Sequence, residues 1–158
     1  LYVMVPTNLH KNAVSGTNWE GVGVAPDIAM APDKVLPAGM VAALNAAAER
    51  RSDAKAKFRL HFLEQEFAAT VSPQSPPAGF LDACVGEYQD GRKIVLQDGA
   101  LHFKNGDTDR RLAYMSASTF MVDGRKDYRV KFDLAEGRVV GLRILWLDDT
   151  EDAYRRTP

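Results

Sequence analysis

A single cysteine, Cys84, stands in the whole chain of 158 residues. No intramolecular disulfide can form, and no thiolate cluster can hold a metal. Cys84 sits in Leu81-Asp82-Ala83-Cys84-Val85, where it reads as a small core residue. Charge of one sign is also missing. There are 20 basic and 21 acidic residues, for a net charge of −1, so no global field draws the chain to nucleic acid or an anionic membrane. The basic residues are interleaved with acidic ones, and Arg110-Arg111 and Arg155-Arg156 are pairs, not a stripe; a nucleic-acid partner is not indicated. No apolar run approaches the roughly 18 residues that a membrane helix needs. Only three histidines occur, His10, His61 and His102. They fall in no HExxH, and no CxxC or GxSxG is present. No metal and no cofactor are expected. Lys11 and Ser15 hint at a Ser–Lys dyad, but nothing places a base beside that serine. Gly21-Val22-Gly23 lacks the third glycine and the following helix of a dinucleotide loop.

What is present is an ordinary globular composition, 46% hydrophobic and 26% charged. It is arranged in three zones. Residues 1–36 are rich in Gly, Pro, Asn and Thr. Their opening, Leu1-Tyr2-Val3-Met4-Val5-Pro6, reads as a strand already under way, without Met or a leader segment before it, so a longer parent chain is expected. Residues 37–72 read as two helices. Pro37 suits a first helical position, and Met40, Val41, Leu44, Ala47 and Ala48 fall on one face. Ser52 and Asp53 offer a cap to a second helix over about 54–69. That helix carries two apolar stripes. Ala56, Leu60, Leu63, Phe67 and Val71 form one, and Phe58, Phe62 and Ala69 lie opposite. It is expected either to have two partners or to be wrapped by one core. His61 falls between these faces and reads as a surface residue.

The proline-rich segment 72–79 cannot continue a helix. Beyond it, eight runs alternate as strands: Val85–Gln89, Lys93–Gln97, Leu101–Lys104, Arg110–Met115, Thr119–Val122, Tyr128–Leu134, Val139–Leu147 and Asp152–Arg156. Asp90-Gly91, Asp98-Gly99, Asn105-Gly106, Asp123-Gly124 and Glu136-Gly137 punctuate them with hairpin chemistry. Tyr128, Val130, Phe132 and Leu134 share one face of their strand by alternation. His102, between Leu101 and Phe103, turns to the opposite face from both. The fold class is therefore α+β: short strands and a loop, two helices, then an antiparallel barrel-like domain of about eight strands. The domain division is 1–50, a connecting helix and linker over 51–79, and a β-barrel over 80–158.

One segment carries more than composition. Thr17-Asn18-Trp19-Glu20-Gly21-Val22-Gly23-Val24-Ala25-Pro26-Asp27-Ile28 closely resembles the end of the catalytic domain in C-terminal processing (tail-specific) serine peptidases. The nearest branch is that of the tricorn core and the retinoid-binding-protein-like repeats. A strand like residues 2–7 before the motif and a helix after it follow the same order, so the resemblance spans about residues 1–50. The β zone, through Val85-Gly86-Glu87-Tyr88 and Asp98-Gly99-Ala100-Leu101, looks like the small lipocalin-like domain often appended to such peptidases. The resemblance implies a serine endopeptidase as parent, acting on unstructured peptides or chain termini through an acyl-enzyme. Residues 1–50 would then be the C-terminal segment of its catalytic domain. It implies that Glu20 is the orienting carboxylate of the catalytic relay. The nucleophilic serine, its histidine and the oxyanion-hole amides would lie upstream, so the chain alone is expected to be inactive. The loop departs from the usual pattern, with Asn12-Ala13 in place of Asn-Pro and Asn8-Leu9-His10-Lys11 in place of a Gly-Arg-like stretch.

Alternatives stand beside this reading. Glu20 can be a loop carboxylate that caps a turn. The barrel can be a non-catalytic module binding a ligand or peptide, with Tyr128, Val130, Phe132, Ile144 and Trp146 facing inward; if these fill the interior, ligand binding loses its support. The helical zone and residues 1–6 can dock onto the upstream peptidase body or onto a second copy, giving a homo-oligomer. Relatives are often exported, so the resemblance implies a periplasmic or extracellular setting; the residues of this chain do not by themselves give the compartment.

Overall fold

The computed structural model describes residues 2, 3, 5, 11–16, 18 and 28–158. The chain divides into two units, Leu1–Ala31 and Pro32–Pro158. In the first unit, Asn12 organises a turn. Its Oδ1 accepts from the backbone N–H groups of Val14 and Ser15 at 2.8 and 3.1 Å, and Gly16 N–H donates to its carbonyl at 2.9 Å. Tyr2, Val3 and Val5 lie in no strand, so the expected opening strand is not formed among the described residues. A strand needs a neighbour to receive its backbone hydrogen bonds, and the described residues give it none.

The second unit begins with an α-helical hairpin. Helix α1 spans Pro32–Glu49 and α2 spans Ala54–Val71. The first helix starts five residues before the expected Pro37, which lies inside it. Pro32 takes the first-turn position that proline favours, and Asp33 in that turn suits the positive end of the helix dipole. Asp53 caps α2 as its sequence position suggests, accepting from Lys55 and Ala56 N–H at 3.3 and 3.0 Å. α2 has two partners within the unit, α1 and the outer wall of the β domain.

After the proline-rich segment comes a short helix that the sequence reading did not foresee, α3 (Phe80–Cys84). Eight antiparallel strands follow: β1 (Gly86–Tyr88), β2 (Arg92–Gln97), β3 (Ala100–Asn105), β4 (Thr108–Ser116), β5 (Thr119–Val122), β6 (Tyr128–Ala135), β7 (Arg138–Trp146) and β8 (Glu151–Arg155). Each pairs with its neighbour in chain order. The sheet curls into a nearly closed barrel. Its seam is a bridge between Tyr88 and Arg156, with Gln89 N–H donating to the Arg155 carbonyl at 3.0 Å and Thr157 N–H to the Glu87 carbonyl at 2.9 Å. The hairpin dipeptides do the work their chemistry suggests. At Asp98-Gly99 and Glu136-Gly137 both residues have positive φ, the conformation that matches strand twist in a two-residue turn.

The interior is packed with side chains. Tyr88, Ile94, Leu101, Phe120, Val130, Phe132 and Leu142 are at most 1% exposed. Phe80 of α3 enters one end of the barrel, with its ring 6.3 to 6.5 Å from those of Tyr114, Phe120 and Phe132. Arg156 ties this plug to the last strand by donating to the carbonyls of Ala83 and Val85 at 2.9 and 2.5 Å. Leu134 departs from the alternation read in the sequence. The register shifts between Asp133 and Leu134, and Leu134 is 48% exposed instead of joining Phe132 in the core. A bulge resets which face a residue meets. Among the described residues no helix is long and apolar enough to cross a membrane.

Candidate binding site at the barrel mouth

α3 occupies one end of the barrel; the other end is formed by the β1–β2, β3–β4, β5–β6 and β7–β8 connections. Inward-facing positions of an antiparallel sheet recur every second residue. Arg92 therefore shares the face of Ile94, and Arg110 that of Leu112. Asp152 and Tyr154 share the face of their cross-strand partners Ile144 and Leu142. These end-layer residues surround a cavity of about 240 Å³, with Phe103, Tyr128, Ile144 and Trp146 as its apolar part and Arg125 at its rim.

The three arginines are held differently. Arg92 lies flat over Tyr154, its guanidinium carbon 3.5 Å from the ring centroid, and its Nη2 donates to the phenolic oxygen at 2.9 Å. Only a long 3.5 Å contact joins it to Asp90, and its Nε is buried with no acceptor among the described residues. Arg125 forms a fork with Asp127, Nε to Oδ1 at 2.8 Å and Nη2 to Oδ2 at 2.5 Å. The mutual hydrogen bonding holds Arg125 above and Asp127 below their ordinary pKa values. Arg110 reaches the Asp123 carbonyl at 3.5 Å and has no carboxylate within ion-pairing distance among the described residues. Trp146 Nε1–H donates to Asp152 Oδ2 at 2.8 Å, and its ring lies 5.1 Å from that of Tyr128.

A larger space, about 470 Å³, lies between α2 and the outer wall. Arg129 latches the two together. Its guanidinium carbon is 3.7 Å from the Phe62 ring centroid, and it donates to Gln65 Oε1 at 2.6 Å and to the Phe62 carbonyl. Burial brings its pKa down to about 10, so it stays cationic at neutral pH, bound by groups that carry no charge. Lys126, which donates to Glu66 at 2.9 Å, adds a second tie.

The residues singled out by sequence are scattered. Glu20 and His10 lie outside the described residues. His61 is exposed and meets Gln65 and Glu64 on its own helix. His102 is on the outer face, 2.8 Å from Asp109. Tyr128, Val130, Phe132 and Ile144 face inward as expected, and Val130 and Phe132 are fully buried. Packing at that depth removes the support for a ligand deep in the barrel and leaves only the mouth. Arg92, Arg110 and Arg125 escaped the sequence reading, which saw dispersed charges. The available signal was parity, since Arg92 and Arg110 stand two residues before buried apolar positions of the same strands. Among the described residues no group of three or more His, Cys, Asp or Glu could hold a metal.

Cys84 is fully enclosed, and burial pushes its thiol up to about 12. The nucleophilic thiolate is therefore suppressed at neutral pH. A disulfide reagent is expected to leave the native protein unlabelled at pH 8 and to react fully once it is unfolded; fast labelling of the native state would contradict the packing of α3. In the unfolded chain this thiol ionises near 9, so its contribution to stability is complete below that pH and is lost as the pH rises towards about 12.

No family model, curated protein or solved structure matches the chain.

Proposed function

We propose that the chain is the C-terminal part of a serine endopeptidase of the tail-specific family, with the barrel as its accessory domain. The observation that carries this reading is the motif Thr17-Asn18-Trp19-Glu20-Gly21-Val22-Gly23 with Pro26-Asp27-Ile28 behind it. A helix follows directly at Pro32–Glu49, in the order that the family resemblance implies. Glu20 is the carboxylate that orients and charge-stabilises the relay. The parent cleaves peptide bonds through an acyl-enzyme, with its serine and histidine upstream of residue 1. Among the described residues Cys84 is buried, and His61 and His102 pair with amide and carboxylate groups. No cofactor enters this chemistry. The partners are the upstream catalytic body and the peptide substrate.

The test is the size of the native protein in its source cells, detected with an antibody to residues 80–158. The expected band is several tens of kilodaltons heavier than the 17.4 kDa of this chain. A band at 17.4 kDa alone would overturn the reading.

A further inference from the structure

We propose that the barrel mouth is a binding site for a small aromatic carboxylate. The proposal is independent of the peptidase reading and rests on the end layer of the barrel.

A filled barrel has no packing reason to point arginines inward. Arginine is almost never buried unless paired, and an inward guanidinium must find acceptors or lose its hydrogen bonds. Arg92 lies in this layer with its Nε buried and without an acceptor among the described residues; its Nη2 is held by the Tyr154 hydroxyl, while Nη1 has only 3.5 Å contacts to Asp90 and the Gln89 carbonyl. Arg110 borders the same cavity and, among the described residues, its one hydrogen-bond acceptor is a backbone carbonyl at 3.5 Å. Unlike these two, Arg125 is neutralised by its fork with Asp127. With Arg125 cancelled by Asp127, two arginines, Arg92 and Arg110, stand against one aspartate, Asp152, in the cavity lining, and the indole N–H of Trp146 already occupies one oxygen of that aspartate. The mouth therefore favours an anion.

The rest of the lining selects which anion. The floor is aromatic, with Tyr128 and Trp146 tilted against each other at 5.1 Å, so a flat ring finds edge and face contacts there. The volume of about 240 Å³ lies below the range of roughly 300–1,000 Å³ typical of drug-sized ligands. A single ring system is the largest apolar group that suits it. Asp152 inside the site, with Asp90 and Asp127 beside it, disfavours a dianion by like-charge repulsion. A monoanionic carboxylate, matched to the planar guanidinium fork, satisfies both the arginines and the aspartates.

The experiment uses the 158-residue protein labelled with ¹⁵N and two probes of nearly equal shape, phenylacetate and neutral phenylacetamide. The Trp146 indole N–H resonance reports the site. Phenylacetate is expected to shift it saturably, with affinity about ten- to a hundredfold above that of the amide, the worth of a charge-assisted hydrogen bond. Added salt should weaken the acid and not the amide. Arg110→Gln is expected to abolish the preference for the acid while leaving the thermal unfolding midpoint in place. No shift up to roughly 10 mM phenylacetate would overturn the proposal. So would equal affinities of acid and amide in the unaltered protein, a comparison that does not depend on any variant folding, or a preference that survives Arg110→Gln.

Discussion

Glu20→Gln, introduced into the full-length peptidase proposed as the parent, is expected to lower kcat by up to about 10⁴ with no change in the thermal unfolding midpoint. Glutamine keeps the size of the side chain and much of its hydrogen-bonding reach but not the negative charge. In a relay, that charge stabilises the cation that forms when the base takes the nucleophile's proton. Its loss therefore raises the transition state and leaves the ground state almost untouched. A carboxylate that only caps a turn behaves in the opposite way: removing it costs about 1 kcal/mol of stability and leaves hydrolysis near normal. Steady-state kinetics on an unstructured peptide, run beside a melting curve, separate the two. Near-normal kcat in a normally folded variant would remove Glu20 from the relay.

Phe132→Ala is expected to destabilise the barrel by about 3–5 kcal/mol, a large part of the roughly 5–15 kcal/mol that holds an ordinary domain together. Phe132 is fully buried. Its ring stands edge-on to Phe120 at 5.5 Å and to Phe80 at 6.4 Å, with Tyr88 at 6.2 Å. Deleting it opens a hole that touches the wall, the seam strand and the plug together, and a closed sheet has little freedom to collapse into it. Leu134→Ala, on the same strand beyond the bulge, is the control. Its side chain is already half in water, so a loss well under half that of Phe132 is expected. Urea denaturation of both variants gives the comparison. Equal losses would mean that the strand keeps strict alternation through Leu134, against the observed register shift.

Legibility in the sequence followed the range of the interaction. All eight strands were readable to within two residues at either end, because alternation and the Asp-Gly and Glu-Gly turns are local signals. The Asp53 cap was readable for the same reason. The helix start was misplaced because Pro32 and Pro37 both satisfy the first-turn rule, and only the fold chooses between them. α3 was invisible: five residues behind a proline-rich stretch show no periodicity, and Phe80 is held by Tyr114, Phe120 and Phe132, which are distant in sequence. The bulge at Asp133/Leu134 breaks alternation without any glycine to announce it. The arginines of the mouth looked like ordinary surface charges, since their inward direction appears only when strand parity is followed to the strand ends. Glu20 rests on its motif alone.

The chain-order pairing of the strands bears on how the barrel assembles. Every strand joins the one just made, across connections of two to five residues, so each step closes a short loop at small entropic cost. The one strand joint that spans most of the domain is the seam, where Tyr88 meets Arg156. Arg156 also holds α3 through Ala83 and Val85, so closing the cylinder and seating the plug become one event at the end of a sequential zippering. Until the last strand arrives, the aromatic interior remains open to water.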